Sequence, residues 1–320
     1  MRQGISGISI KGVAACLRPG TRPVNSLCAS DLCQIAAERL LCDLAWKPQD
    51  IALLVNVTQT PDYSNHPMTA PSIASRIGCG EIMALDVPGG GAGYICGIRV
   101  AAALLAAGQF DKALVCAGDA LVHTLPEDCD PVTANMTDAG TVTALEKDPS
   151  AELLSFYTGT VGAAFFVNST PGLGFRHTMS PRSLVPRKGI QGGYLRDVDP
   201  HIDLAALRKL VLHHVPKVLD CIRPDVQSGS IAQVFFTQVD SELHNHLARD
   251  LGVKVPVQDL FDTYGNLESA GLPVSLIQYL RAEPGGVSEK AALVGFGSGF
   301  SYGAMTLDLS GLVTPEMKLV

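Results

Sequence analysis

The 320-residue chain has no run of like charges, no apolar stretch long enough to cross a bilayer, no CxxC pair and a single tryptophan. Each absence removes a class of function. The formal charge of −7 is spread along the chain in both signs, so no basic stripe exists to neutralise a phosphate backbone, and nucleic acid is not an expected partner. The longest apolar stretch, Ile98 to Ala107, is interrupted by Arg99 and falls short of the ~20 residues that a membrane span requires. At the start, MRQGISGISIKGVAACLRPG is broken by Gly4, Gly7 and Lys11 where a secretory leader would be uninterrupted; it reads as a first strand and turn. Nine cysteines are present, eight of them before residue 130, too scattered in so long a chain for a disulfide framework. A reducing, cytoplasmic setting is expected. Cys28 and Cys33 have no histidine beside them to complete a zinc site, so neither a metal nor a cofactor is expected.

What is present is a great deal of core: 47% of residues are hydrophobic against 17% charged, enough for one large domain or two fused smaller ones. Periodicity predicts a helix over Asp31 to Leu44, a strand from Ile51, a short helix over Pro71 to Ile77, and a strand IMALDV. A long helix from Gly91 to Ala107 and a strand KALVCAG follow. The second half predicts a helix over Leu204 to Cys221, a strand QVFF near Gln233, helices over Ser241 to Leu251 and Glu268 to Arg281, and a strand from Ala291. The same order of elements thus occurs twice, and KALVCAGDAL echoes KAALVGFGSGF, which reads as an internal duplication with halves 1–168 and 169–320. Alternating strands and helices argue for mostly parallel sheet covered by helices. The helix from Gly91 is apolar nearly all round and is expected between layers. Residues 120–150 and 169–202, rich in Pro, Gly, Asp and Thr, read as long loops that shape a site.

The strongest local signal is LDVPGGGAGYICGIRVAAALL, where a strand ends at Val87 and a glycine turn feeds straight into the apolar helix. Backbone N–H groups at such a helix start can point at a carbonyl oxygen or an anion, and Gly91, Ala92 and Gly93 are best placed to supply them. Gly91, Gly93 and Gly97 also spell GxGxxxG, a relaxed version of the dinucleotide-loop spacing. Against that reading, the strand is not the first of the chain and no acidic residue clearly ends the next strand before Cys116. Read without further context, the glycines serve close packing around a crowded helix.

VTQTPDY, ALDVPGGGAGY, KALVCAGDAL, YGNLESAGLP and GFGSGFSYGA, in that order along the chain, resemble segments of the ketoacyl-synthase III branch of the thiolase-fold condensing enzymes. VTQTPDY at Val57 to Tyr63 is similar to that family's strand and turn, and ALDVPGGGAGY to its nucleophile elbow. KALVCAGDAL, YGNLESAGLP and GFGSGFSYGA resemble its next strand, its asparagine loop and its C-terminal glycine loop. The resemblance runs from about residue 50 to the end. It implies a five-layered αβαβα fold with two pseudosymmetric halves, usually dimeric, acting on thioesters of coenzyme A or acyl carrier protein. Carried over residue by residue, it puts the nucleophilic cysteine on Gly91 and the catalytic histidine on Thr237, before Gln238. Asn266, after Gly265, matches the asparagine that helps stabilise an enolate. Gly91 and Ser298 match the two backbone donors of the oxyanion hole, with Gly90, Ala92, Gly297 and Gly299 lining the pocket around them. The family's long N-terminal segment, with a tryptophan and an arginine for the coenzyme's adenine, has no counterpart: the first helix follows soon after Leu27, and Trp46 ends it.

No other residue restores the missing pair. Cys96, five positions past Gly91, is rotated about 140° from its face. His244 and His246 read as surface or interface histidines, and His213 and His214 as part of a solvated, basic helix face. Asp240, near Thr237, could serve as an acid or base, but Asp240 or Ser241 reads first as a helix N-cap. The resemblance therefore implies a non-catalytic or accessory subunit that binds acyl thioesters or pairs, as homodimer or heterodimer, with an active homologue. The alternative is a stand-alone acyltransferase that works on acyl-CoA or acyl carrier protein without a cysteine nucleophile.

Overall fold

The computed structural model describes residues 3–19, 27–63, 68–120, 122, 125, 128–129, 135–170, 172, 177–189, 192–252, 260–282 and 289–320. Of the loop expected over residues 120–150, most of 121–134 lies outside these. The eleven strands of the two large sheets are β1 (Gln3–Ile5), β2 (Ile8–Arg18), β3 (Leu53–Asn56), β4 (Met83–Asp86), β5 (Lys112–Asp119), β6 (Asp138–Lys147), β7 (Leu154–Thr160), β8 (Gln233–Phe236), β9 (Lys290–Gly297), β10 (Ser301–Asp308) and β11 (Lys318–Leu319). The helices are α1 (Ala29–Asp43), α2 (Thr69–Ile77), α3 (Gly90–Ala106), α4 (Leu204–His214), α5 (Pro216–Gln227), α6 (Ser241–Leu251), α7 (Leu260–Tyr264) and α8 (Gly271–Ala282).

One sheet has the order β11-β2-β6-β5-β3-β4 and the other β1-β7-β10-β9-β8. Within them β2-β6-β5-β3 and β7-β10-β9-β8 repeat the same sequence of senses, antiparallel, antiparallel, then parallel. The duplication read from the sequence is thus present in the strand connectivity.

Successive side chains of a strand face opposite ways, and here they sort into separate cores. Ala113 and Val115 of β5 face inward with Tyr94, Ile95 and Ile98 of α3 and Leu272 and Leu276 of α8, while Leu114 and Cys116 face outward to Leu32, Leu40 and Ile73 of α1 and α2. In β9, Ala291 and Leu293 join that same inner core, whereas Ala292 and Val294 face Val211, Leu219 and Leu247 of α4, α5 and α6. Five layers follow: α1/α2, sheet, α3/α8, sheet, α4/α5/α6. As its composition requires, α3 lies in the middle layer, with Gly90 to Ile95 all buried. Toward its end one line of the helix, including Ala103, reaches the surface.

Three expectations are corrected. The sheets are mixed rather than mostly parallel, and every antiparallel pairing in them involves β6, β7 or β10. Residues 138–147, expected in a loop, form a central strand. Their Thr and Gly content suggested a turn, but Thr141 and Thr143 are fully buried and satisfied, the first donating to the Ala117 carbonyl at 2.8 Å, the second sharing a 2.8 Å hydrogen bond with the Tyr94 hydroxyl. The single helix expected over Leu204 to Cys221 is two, because Pro216, which has no N–H to give the preceding turn, starts a new helix that runs on to Gln227.

The Tyr94–Thr143 bond ties the middle layer to the strand hidden from periodicity. Tyr94→Phe is expected to cost about 1 kcal/mol in urea unfolding by stranding a buried hydroxyl. Adding Thr143→Val, which removes that hydroxyl too, is expected to return most of the loss; additive losses in the double variant would show that the bond contributes nothing.

Candidate functional site

β4 ends at Asp86, whose carboxylate accepts from the Ala70 N–H at the start of α2 and from the Asn56 side-chain amide at 2.7 Å. The end of β3 and the start of α2 are thereby tied to the strand end that leads into the glycine turn. Gly90 has φ +59°, a backbone that only glycine adopts freely, and a Cβ there would stand 3.0 Å from the Gly297 Cα and the Ser298 nitrogen. The C-terminal glycine loop therefore lies backbone against backbone on the elbow. A Cβ at Gly91 would fall 2.3 Å from Thr237 Oγ1, 2.6 Å from its Cγ2 and 2.9 Å from the Phe296 carbonyl oxygen. Thr237 follows β8, donates its N–H to the Val294 carbonyl at 2.9 Å and accepts from the Phe296 N–H through Oγ1 at 3.3 Å. The space that a side chain at 91 would use is the space that the Thr237 side chain fills.

Beside Thr237 is a cavity of about 10 Å³, bounded by Asn266, Glu268 and Gly297 with Ile202 and Leu207 behind. It has room for about one water molecule. Asn266 is buried, and its backbone is pinned ahead of β6, its N–H donating to the Asn135 carbonyl at 2.8 Å and its carbonyl accepting from the Thr137 N–H at 3.1 Å. Its side chain turns to Glu268 at both ends. Oδ1 accepts from the Glu268 N–H and Nδ2 donates to Glu268 Oε1, each at 2.9 Å. Glu268 Oε2 accepts from Gln59 Nε2 at 2.9 Å.

Behind these residues sits Asp119, the last residue of β5, with 3% of its surface exposed. Its Oδ1 accepts from the N–H groups of Gln59 and Thr60 and from the Thr60 hydroxyl; its Oδ2 accepts from the N–H and hydroxyl of Ser269. Burial pushes the carboxyl above the ordinary aspartate range, and the donors from Ser269, Gln59 and Thr60 pull it back. This one carboxylate joins the turn after β3 to the asparagine loop.

The residues read from the sequence thus converge: Gly90, Gly91 and Ala92 at the start of α3, Thr237 against Gly91, Gly297 and Ser298 on the elbow, and Asn266 on the same cavity as Thr237. Gly299, with φ +75°, turns the chain beyond Ser298. Sequence reasoning passed over Gln59, Asp119 and Glu268. The available signal for Glu268 was its place two residues after Asn266, between Leu267 and Ser269, which are both buried. The reading of His244 as a surface or interface residue is corrected: it is buried, edge-on to Phe236 with ring centroids 5.2 Å apart, because α6 turns that face to the outer core. His246 is exposed, as is His213. His214 leans on Phe300 and Tyr302, and burial, then Lys217 and His213, lower its pKa. Asp240 caps α6, accepting from the Glu242 N–H at 3.1 Å, and pairs with Arg208. Burial raises the Cys96 thiol pKa, the opposite of what a nucleophile needs. Trp46 packs under the Lys112 ammonium, 4.5 Å from its ring centroid. Among the described residues no three His, Cys, Asp or Glu side chains are grouped to hold a metal ion.

Two mixed sheets around a shared helix layer, with a glycine elbow meeting a glycine loop at its centre, define the thiolase-like class of condensing-enzyme folds. Family models described as 3-oxoacyl-[acyl-carrier-protein] synthase III and its C-terminal part match residues 85–162 and 221–309. The chain belongs to the 3-oxoacyl-[acyl-carrier-protein] synthase III family. It is 26% identical over 285 residues to a beta-ketoacyl-[acyl-carrier-protein] synthase III of Desulfitobacterium hafniense, an alignment covering 88% of this chain and 83% of that protein. In fold it is similar to a 3-oxoacyl-(acyl-carrier protein) synthase from Burkholderia xenovorans, with TM-score 0.85 and 22% identity over 100% of this chain and 99% of the other. The priming beta-ketosynthase of the R1128 polyketide pathway has TM-score 0.78 and 17% identity, covering 96% and 97% of the two chains.

Two stability measurements check this geometry. Gly91→Ala is expected to cost roughly 1–3 kcal/mol, as overpacked cores do, and Thr237→Ala in the same chain is expected to recover part of it. Equal losses in the single and double variants would mean that Thr237 is not what fills the space. Asp119→Asn must turn an NH₂ group toward Ser269 or toward Gln59 and Thr60; a loss of roughly 1–3 kcal/mol in urea is expected, and an unchanged midpoint would contradict the bonding described.

Proposed function

We propose that this chain is a non-catalytic member of its family, a partner subunit for an active homologue. The observation that carries the reading is the close approach of Thr237 to Gly91: the elbow has neither a nucleophile nor room for one. A condensing enzyme of this type splits acyl transfer into two steps through a covalent thioester, and this chain has no acceptor for the first. Gly91 and Ser298 are read as a vestigial oxyanion hole, and Asn266 and Thr237 as the remnants of the decarboxylating pair. The one-water cavity favours pairing over binding of an acyl thioester as what the fold is kept for. The halves, expected to meet at 168, are proposed to meet ahead of Leu154, since β7 is the counterpart of β2 in the repeated strand order.

Support for pairing lies at the sheet edge. Among the described residues β4 has a neighbour on one side only, Met83 on it is 40% exposed, and a groove of about 1010 Å³ runs beside it between α2 and Phe110. An open edge strand is a template for adding a strand from another subunit. Either a second copy or an active homologue fits such an edge; the loss of chemistry on this chain favours the homologue. All nine cysteines are free thiols, in keeping with the cytoplasmic setting proposed here, and among the described residues no helix is long and apolar enough to cross a membrane.

Incubated alone with acyl-CoA and a malonyl thioester, the purified chain is expected to show no mass increase and no condensation product. Turnover by the isolated chain would establish the stand-alone acyltransferase instead. Co-expressed with a homologue that has the cysteine and histidine, it is expected to co-purify and support condensation, and Met83→Lys is expected to weaken that pairing at least tenfold. A complex that tolerates the lysine would move the interface away from β4.

A further inference from the structure

Loss of the nucleophile and its histidine leaves Asn266 as the one functional side chain that the family resemblance assigns and this chain retains. Its carboxamide is nevertheless committed. The bond from the Glu268 N–H to Asn266 Oδ1 is a local turn that any residue at 268 could make. The bond from Nδ2 to Glu268 Oε1 is different, because only a side chain with an acceptor at that reach can make it. The carboxylate making it is anchored from the other half of the molecule by Gln59, through a contact spanning 209 residues. Gln59 is itself held at its N–H by Asp119, which also holds Ser269, the residue after Glu268. Glu268 has φ +47°, a left-handed backbone that a residue with a Cβ keeps only when its surroundings over-determine it. Here they do, from both sides. Glu268 and Asn266 both border the small cavity beside Thr237, so the carboxylate meets the amide where a ligand's oxygen would have to.

We propose that Glu268 is a positioning residue that withdraws Asn266 from use: a clamp, built from Glu268 and Gln59, that holds the amide against the protein's own loop. It is a second block on the site, independent of the filled space at Gly91. The inference rests on the reading of this site as non-acylating only for the meaning of Asn266; the clamp itself is a matter of which atoms meet.

The test follows the Asn266 side-chain NH₂ by NMR of protein labelled with ¹⁵N-asparagine, measuring its hydrogen exchange with solvent. In the unaltered protein this exchange is expected to be slow. Glu268→Ala is expected to speed it at least tenfold while backbone amides of β5 and β9 keep their protection. Glu268→Gln is expected to stay slow, since a glutamine carbonyl can accept from Asn266 while its NH₂ donates to a flipped Gln59 amide. Should Glu268→Ala fail to fold, Gln59→Leu, which removes the anchor and leaves the carboxylate, is expected to give a smaller acceleration of the same amide. Unchanged exchange in Glu268→Ala, or in Gln59→Leu if that variant alone folds, overturns the clamp. So does acceleration as large in Glu268→Gln as in Glu268→Ala. Acylation of the unaltered chain would instead defeat the non-catalytic reading and leave the exchange result standing.

Discussion

Two sheets can share one layer of helices only if that layer is apolar on both faces, and this constraint organises the molecule. α3 and α8 meet it: Ile95, Ile98 and Leu105, with Leu272, Val274 and Leu276, have β5 and β2 on one side and β9 and β10 on the other. Because α3 begins in the interior, the turn that starts it must approach other backbone closely, and side chains there become obstacles. The run of glycines after Pro88 is the consequence, and the same crowding brings Thr237 and the loop at Ser298 into contact with it.

The centre of the molecule therefore has two features that belong together. At Gly91 the Thr237 methyl and hydroxyl occupy the volume that a side chain would need; at Asn266 the amide is bonded inward to the Glu268 carboxylate. Neither leaves an unsatisfied buried side chain, so the centre is packed and bonded as ordinary interior is. The network from Asp119 through Gln59 and Ser269 to Glu268 is polar and stiffens the interior, its hydrogen bonds offsetting part of the cost of burying the Asp119 carboxyl.

How much of this could be read beforehand depended on side-chain chemistry. Elements with plain apolar patterns, such as α1, α3, β5 and β9, stand within two residues of where periodicity put them. β6 escaped because it buries Thr141 and Thr143, whose hydroxyls are satisfied by the Ala117 carbonyl of β5 and the Tyr94 hydroxyl of α3, and a central strand built of Thr, Gly and Ala looks like a turn. With β6, β7 and β10 unseen, the sheets looked parallel. The elbow, Thr237 and Asn266 were legible because their motifs are local. Gln59 and Asp119 were not, since their bonds reach partners between 59 and 209 residues away and no window of sequence contains both ends; Glu268 is only two residues from Asn266, but its anchor at Gln59 is 209 residues off.

The reach of those bonds bears on how the chain acquires its structure. Asp119 meets Ser269 across 150 residues, and Gln59 meets Glu268 across 209. Contacts of such span close large loops, whose entropy must be spent before the contact returns anything, so they form late. The first sheet takes β2 to β6 from the front of the chain and only its edge strand β11 from the end, and can assemble on a nascent chain. The buried carboxylate stays without two of its donors until Ser269 arrives, and for that interval the nascent front half carries an incompletely paired charge. Completion of the second half is then what seals the first, and the chain commits to its native state as a unit.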